Sequence, residues 1–438
     1  MTRLLSSLLT EGSPALPVAF RRGRPIPFAR FRDDVATAAA DFRGFRHAAL
    51  VCHDSYAFAV GLFGLLHAGA EVVLPNNGQP ATIERLTADT EAVIDDQRLG
   101  RLDRQVGEMP PLDVDRARIT FFTSGSTGRP KPVTRTLGML EREVAVLDRL
   151  WGATTVGSGP VLATVSHQHL YGMTFKVLWS LTTGRPFAAD MHEVWETLLA
   201  DLTPGACIIS SPAHLGRLAG IAPLPETCRP AAVFSAGAPL AASAAAAAEA
   251  ILGCLPIEIF GSTETGAFAS RRQSVGDESW TLFPGNRIET DADGCLTLDS
   301  SYGDGWVKTA DIVELTTDGF RFLGRADRIV KIEGKRVSLP DVELSLAALP
   351  WVDAAAAVII AGEMPHLAAA VVLTAAGRNK LSELGNFRFG RMLRQELAAT
   401  QEPAGRPRFW RFVEALPTRT HGKRADTDVA ALFAKEPA

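Results

Sequence analysis

The stretch that most restricts the fold runs from Ile119 to Lys131. Residues 119–123 are apolar, β-branched or aromatic, which is a strand pattern. They lead without a spacer into Ser124-Gly125-Ser126-Thr127-Gly128-Arg129-Pro130-Lys131. A loop of this composition turns several backbone N–H groups and hydroxyls toward one anion, with a lysine beside them. The Gly-x4-Gly-Lys-Ser/Thr spacing of a Walker A loop is absent. Standing alone, the loop could be an ordinary Ser/Gly turn, so its context decides.

That context is an alternation of strands and helices. Residues 47–52, 71–74, 161–165, 207–210, 232–235 and 257–260 are short apolar runs. Helical patterns separate them, such as 56–68, which meets Gly69 at a C-cap position, and 137–150. Such alternation predicts an α/β fold, with a large N-terminal domain of mostly parallel sheets covered by helices. Ligands collect at the C-terminal ends of parallel strands. Thr123, Ser235 and Phe260 each end a strand and each precede a Gly-containing loop.

The pattern changes near residue 325. After the polar segment Gly324-Arg325-Ala326-Asp327-Arg328 come strand patterns at 329–332, 354–360, 367–373 and 409–414, and helical patterns at 340–349 and 389–397. They predict a small α+β domain of a size that folds separately. The expected division is 1–324 for the large domain, a hinge at 325–327, and a small mobile domain at 328–438.

Composition narrows the class. The 438 residues make two domains the natural expectation. The net charge of −4 gives no sign of a nucleic-acid partner. Five scattered cysteines, with no Cys-x-x-Cys pair, predict reduced thiols in a cytoplasmic protein. The N-terminus is too polar for a signal peptide, and no apolar run is long enough for a membrane span. The alanine-rich segment 241–250 predicts a packed helix.

Four further motifs follow the loop in order. They are Ser235-Ala236-Gly237-Ala238-Pro239-Leu240, Phe260-Gly261-Ser262-Thr263-Glu264-Thr265-Gly266, Trp306-Val307-Lys308-Thr309-Ala310-Asp311, and Leu416-Pro417-Thr418-Arg419-Thr420-His421-Gly422-Lys423. Together, over residues 45–430, they resemble the adenylate-forming superfamily of acyl- and aryl-CoA synthetases, luciferases and peptide-synthetase adenylation domains.

The resemblance implies an acid–thiol ligase that uses ATP and Mg2+. It places Thr123, Ser124, Gly125, Ser126, Thr127, Gly128 and Lys131 around the β- and γ-phosphates. Gly237, Ala238 and Pro239 would lie along the adenine, with Ala236 where the family more often has Gly. Phe260 and Gly261 lead to Thr263, which would meet the α-phosphate, and to Glu264, which would hold Mg2+. Asp311 and Arg325 would meet the ribose, although Ala310 replaces the usual Gly and requires a negative φ. Asp327 matches the hinge. Lys423 matches the adenylation lysine. Lys331 either assists thioester formation or is a solvated strand lysine.

For the acid, the segment Val165-Ser166-His167-Gln168-His169-Leu170-Tyr171-Gly172-Met173 resembles the family's aromatic-and-histidine motif. His169 and Tyr171 would border the carboxylate and acyl group. Ser166, His167 and Tyr171 could pair with a ring hydroxyl, with Gly172 beside them. His167 has an equally weighted alternative as a buried, satisfied histidine. The compact chain resembles the stand-alone AMP ligases of aryl polyene and xanthomonadin pigment biosynthesis. That implies a 3- or 4-hydroxybenzoate, transferred to an acyl carrier protein or, alternatively, to CoA. Arginines 391, 394, 406, 408, 411 and 424 would suit an acidic carrier, or form a plain solvated surface. A non-catalytic homologue would be expected to lack Lys423, Glu264 or Asp311, and a luciferase-like oxidoreductase would share every motif.

Overall fold

The computed structural model describes residues 3–75, 90–103, 109–124, 130–273, 278–332, 335–360, 366–417 and 426–434. The chain divides into two compact units. The first comprises Met1–Glu289, Thr297–Val307 and Thr316–Phe320; the second comprises Thr290–Leu296, Lys308–Leu315 and Arg321–Ala438. Four strands, Arg287–Thr290, Cys295–Asp299, Trp306–Leu315 and Gly319–Arg325, each contribute residues to both.

The first unit holds two sheets. One orders its strands Ala92–Asp95, His47–Val51, Glu71–Leu74, Arg118–Ser124 and Pro130–Thr136. The first four run parallel and the last antiparallel. The second sheet carries a parallel run of Val161–Ala163, Cys207–Ser210, Ala232–Ala236 and Ile257–Ser262. The chain then turns back antiparallel through Gly266–Arg271 and Ser279–Leu282. All these strands were legible from residue pattern except Ala92–Asp95, Pro130–Thr136, Gly266–Arg271 and Ser279–Leu282.

Helix Ser55–His67 explains much of the packing. Asp54 caps it by accepting from Ala57 N at 2.8 Å. Its residues are buried all round rather than along one stripe, from Tyr56 and Phe58 to Leu66. A helix apolar on every side belongs inside a protein. One continuous core joins it to both sheets. Among the described residues, no helix is long and apolar enough to cross a membrane.

Under the second sheet lies an aromatic cluster. Phe234 meets Trp151 at 5.1 Å, Phe175 at 5.6 Å and Trp179 at 5.8 Å between ring centroids. Tilted and edge-on pairs of this kind add to the burial of large rings.

The second unit is smaller. Strands Val352–Ile360 and His366–Leu373 pair antiparallel, and Phe409–Val413 joins parallel to the second. Helix Leu339–Ala347 starts at the Ser338 cap, with Pro340 in its first turn. Arg328 bonds Glu343 at 2.8 Å, and Glu343 accepts from Ala357 N at 2.8 Å. This pins the start of the unit to its helix and sheet. The helix expected at 389–397 is the later part of Ala375–Glu396, broken at Gly385, where φ is 73°. The helical signal before Gly385 was hidden by polar residues. All five cysteines are free thiols.

Candidate active site

The phosphate-type loop leaves one parallel strand and returns along its antiparallel neighbour. Thr123 pairs with Lys131 and Ser124 with Pro130, so residues 125–129 connect two locked strand ends. Gly125, Ser126, Thr127 and Gly128 lie outside the described residues, as do the side chains of Thr123 and Ser124. Lys131 is exposed at the start of the return strand.

Strand Ala232–Ala236 ends in Gly237, at φ +95°, where a side chain would be strained. No heavy atom lies within 4 Å of where its Cβ would be, so the backbone faces open space. Ala238 and Pro239 are exposed beside it. Ala236 has no positive φ, so this departure from the family's Gly costs no backbone strain. Below the turn, buried Glu258 accepts from Leu240 N at 3.2 Å. Arg271 grips the same carboxylate at 2.9 and 3.2 Å, and Gln273 bridges it to Leu240 O.

The next strand, Ile257–Ser262, bulges between Phe260 and Gly261. A Cβ on Gly261 would fall 2.2 Å from Gly266 O, so the close strand approach requires glycine. Phe260 packs its ring on Phe268, Trp280 and Phe320. Ser262 N donates to Thr265 Oγ1 at 2.9 Å, and Thr265 N donates to Ser262 Oγ at 3.2 Å. These reciprocal bonds leave Thr263 and Glu264 at the tip, half-buried.

The Glu264 carboxylate has no hydrogen-bond or ion-pair partner among the described residues, while its carbonyl accepts from Arg135 Nη1 at 3.1 Å. A half-buried, unpartnered carboxylate fits a hard divalent cation. No cluster of three His, Cys, Asp or Glu side chains exists among the described residues. A cation there would therefore complete its shell with phosphate and water oxygens, which is the usual habit of Mg2+.

In the second unit Arg325 Nη1 donates to Asp311 Oδ1 at 3.0 Å. Thr309 Oγ1 accepts from Asp311 N at 3.1 Å and donates to Leu296 O at 3.0 Å. The two expected ribose contacts are thus neighbours. Ala310 keeps a negative φ, as its methyl group requires. Asp327 sits in the 3-10 turn Ala326–Arg328, and Lys331 in strand Ile329–Ile332. Their side chains lie outside the described residues, and so does Lys423.

The segment expected to meet the acid follows strand Val161–Ala163. A Cβ on Gly172 would fall 2.1 Å from Ser166 O, so the segment folds tightly back on itself. Ser166 Oγ accepts from Gln168 N at 3.1 Å. His169 O accepts from Met173 N at 2.8 Å and opens the helix Leu170–Gly172. Tyr171 stacks obliquely on Phe175 at 4.8 Å, and burial raises its phenol well above the ordinary value.

The buried alternative describes His167. Its Nε2 lies 2.9 Å from Cys52 O and its Nδ1 2.9 Å from Ser55 Oγ. A carbonyl only accepts, so Nε2 carries the proton and Nδ1 accepts from Ser55. Ser55 Oγ accepts in turn from Lys176 Nζ at 2.7 Å, and Nζ also donates to Asp190 O at 3.1 Å. Lys176 is wholly buried on the π-helix Met173–Leu178. Burial pushes its ammonium down to about 7 and the His167 imidazole down to about 3.

Sequence reading missed Arg135, Glu143, Glu258, Ser55 and Lys176. Glu143 and Lys176 left a trace. Glu143 interrupts the apolar face of Leu137, Leu140, Val144 and Leu147, and Lys176 interrupts Met173–Leu178.

Comparison with known proteins agrees with this geometry. The family model described as "AMP-binding enzyme" matches residues 67–288, half of the chain. The 4-coumarate–CoA ligase of Rhodobacter capsulatus is 29% identical over 324 residues, covering 72% of this chain and 76% of that protein. Two solved structures share the fold. An anthranilate CoA ligase in complex with anthranoyl-AMP gives a TM-score of 0.78 at 17% identity, covering 99% of this chain and 97% of that one. A benzoate CoA ligase from Burkholderia xenovorans gives 0.77 at 17%, covering 98% and 100%.

The Lys176 network makes a testable demand. An amine whose value falls on folding binds fewer protons folded than unfolded, so its contribution to stability rises with pH above about 7. The slope is at most ~1.4 kcal/mol per pH unit. Above pH 9 the buried thiols and phenols, whose values are raised, act in the opposite direction. Urea denaturation between pH 7 and 9 should therefore show a rising stability that flattens in Lys176→Met. Parallel curves for the two proteins would refute the assignment.

The family match over half the sequence, on a fold that brings a glycine turn and the Glu264 carboxylate to the ends of parallel strands, identifies the chain as a member of the AMP-binding enzyme family and an AMP-forming acid–thiol ligase.

Proposed function

We propose that the enzyme activates an aromatic carboxylic acid, a 3- or 4-hydroxybenzoate, and passes it to the phosphopantetheine thiol of an acyl carrier protein. The observation that carries the adenylation half is the Glu264 carboxylate at the tip of the Ser262–Thr265 turn, which has no partner among the described residues. The aromatic half draws support from relatives and neighbours named for 4-coumarate, anthranilate and benzoate. Half-buried Ser166 and the buried Tyr171 hydroxyl supply polar groups suited to a ring hydroxyl.

A carboxylate is a poor acyl donor because oxide is a poor leaving group. In the first step a carboxylate oxygen attacks the α-phosphorus of ATP, the bond to the β-phosphate oxygen breaks, and pyrophosphate departs. In the second step the thiol sulfur, having lost its proton, attacks the acyl carbon and AMP leaves. Neither step needs a covalent protein group; both need positioning and neutralised charge. Residues 123–131 would hold the β- and γ-phosphates, and Gly237–Pro239 the adenine. Thr263 would meet the α-phosphate, Glu264 the metal, and Lys423 the charge that grows on the phosphorus oxygens. Bound Mg2+ would offset phosphate charge. Asp311 and Arg325 would meet the ribose, His169 would border the carboxylate, and Lys331 would serve the thioester step.

The second reading is transfer to CoA, favoured by the relative named as a 4-coumarate–CoA ligase. Thioester assays with CoA and with a loaded carrier protein separate the two.

Acid-dependent ATP–pyrophosphate exchange over hydroxybenzoates, benzoate, cinnamates and C2–C12 fatty acids tests the substrate class. The strongest exchange is expected with a hydroxybenzoate, and exchange with fatty acids alone would remove the aromatic assignment. Lys423→Ala should slow pyrophosphate release by about 100-fold or more, the scale of losing one electrostatic stabiliser. Near-normal release would overturn its role. Asp327→Pro, which fixes φ at the hinge, should preserve adenylation and block thioester formation. Equal loss of both steps counts against a hinge there.

A further inference from the structure

Behind the Thr263–Glu264 tip lies a pair of opposite charges with almost no access to solvent. Arg135 is 3% exposed and Glu143 is 2% exposed, and Arg135 Nη2 lies 3.7 Å from Glu143 Oε2. Arg135 belongs to strand Pro130–Thr136, the return arm of the phosphate-type loop. Glu143 belongs to the following helix, Leu137–Leu147.

The two side chains hold opposite ends of the tip. Arg135 Nη1 donates to Glu264 O at 3.1 Å, and Glu143 Oε1 accepts from Ala267 N at 2.9 Å. Between them Gly266 has φ +70°, and a Cβ on it would lie 2.8 Å from Glu143 Oε2. The carboxylate thus packs against a bare Cα. Arg135 Nε and Nη2 and Glu143 Oε2 have no hydrogen-bond partner among the described residues.

Stability alone is a poor reason for such an arrangement. A buried ion pair loses its hydration, and well-packed apolar residues often serve as well or better. This pair is also incompletely hydrogen-bonded, which adds to its cost. What it offers that apolar residues lack is a directional grip on one carbonyl and one N–H.

We propose that Arg135 and Glu143 are positioning residues, which tie the return arm of the phosphate loop to the Glu264 turn and so set that carboxylate for a nucleotide-bound divalent cation. The inference rests on the reading of Glu264 as a metal ligand. Neither residue touches substrate; both act through the backbone of residues 264 and 267.

The test uses the full-length enzyme and Mn2+ as the probe. Mn2+ binding is followed by electron paramagnetic resonance with a non-hydrolysable ATP analogue, alongside thermal melting and the KM values for ATP and acid. Arg135→Met should weaken Mn2+ binding about 10-fold or more, the scale of losing a group that orients a metal ligand. The acid KM should stay within about twofold of its starting value. Arg135→Lys keeps the charge and should retain part of the affinity. The double variant Arg135→Met with Glu143→Leu removes both charges and should melt near the parent while still binding Mn2+ weakly. A double variant with parental Mn2+ affinity would make the pair merely structural and overturn the proposal. Glu264→Gln is the control. If it binds Mn2+ as the parent does, the metal reading itself fails. The tie is then judged on ATP alone: a KM unchanged in Arg135→Met overturns it, and a rise of about fivefold or more upholds it.

Discussion

Parallel pairing of four strands in the second sheet is the constraint on which the site depends. Cys207–Ser210, Ala232–Ala236 and Ile257–Ser262 run side by side in one direction, with Val161–Ala163 at their flank. Their carboxyl ends therefore share one edge. The 165–173 segment, the Gly237 turn and the Glu264 hairpin leave from that edge, so residues far apart in sequence become neighbours without any loop reaching for another. The close fit of Gly261 against Gly266 follows from the same placement, because the chain must reverse immediately after the last parallel strand.

An edge made of loops is held poorly by apolar contacts, which have no direction. The protein holds its loops with buried charge instead. Glu258 secures the adenine-type turn through Leu240 N. Arg135 and Glu143 bracket the Glu264 tip. Lys176, acting through Ser55, fixes the proton of His167 on Nε2 and so anchors the 165–173 segment to Cys52. In each case a charged group buried at a desolvation cost meets a backbone or hydroxyl group whose position matters. This spends stability on geometry, as sites that need fixed dipoles commonly do.

The fold and the site differed in how plainly the sequence displayed them. Parallel strands buried on both faces are continuous apolar runs, and residues 207–210 and 232–235 could be read directly. Motif glycines were legible because each has a geometric reason: Gly237 takes a positive φ, and Gly261 leaves no room for a Cβ. Strand Pro130–Thr136 was hidden by its prolines and charges. Its pairing comes from the neighbouring strand, not from its own pattern. Arg135 was invisible for the same reason, since it shares a strand face with exposed Lys131 and a charged residue there gives no hint of burial. Glu143 and Lys176 were visible only as single charges on apolar faces, a signal that predicts burial but not a partner.

His167 shows how a motif can be legible and its role still ambiguous. A histidine between Ser166 and His169 looks like a substrate contact, yet its ring is closed off by Cys52, Ser55 and Phe58, the last at 4.6 Å between ring centroids. Its lowered basicity follows from that enclosure and from the Lys176 ammonium nearby. Of the polar residues proposed to meet the acid in this segment, that leaves Ser166, His169 and Tyr171, which are only half-buried. A hydroxyl held at one point of a rigid loop discriminates strongly against a substrate that leaves it unpaired. The buried relay therefore bears on the proposed recognition of the acid by this segment. What holds His167 also holds the backbone of the segment, where Gly172 packs against Ser166 O and leaves no room for a Cβ.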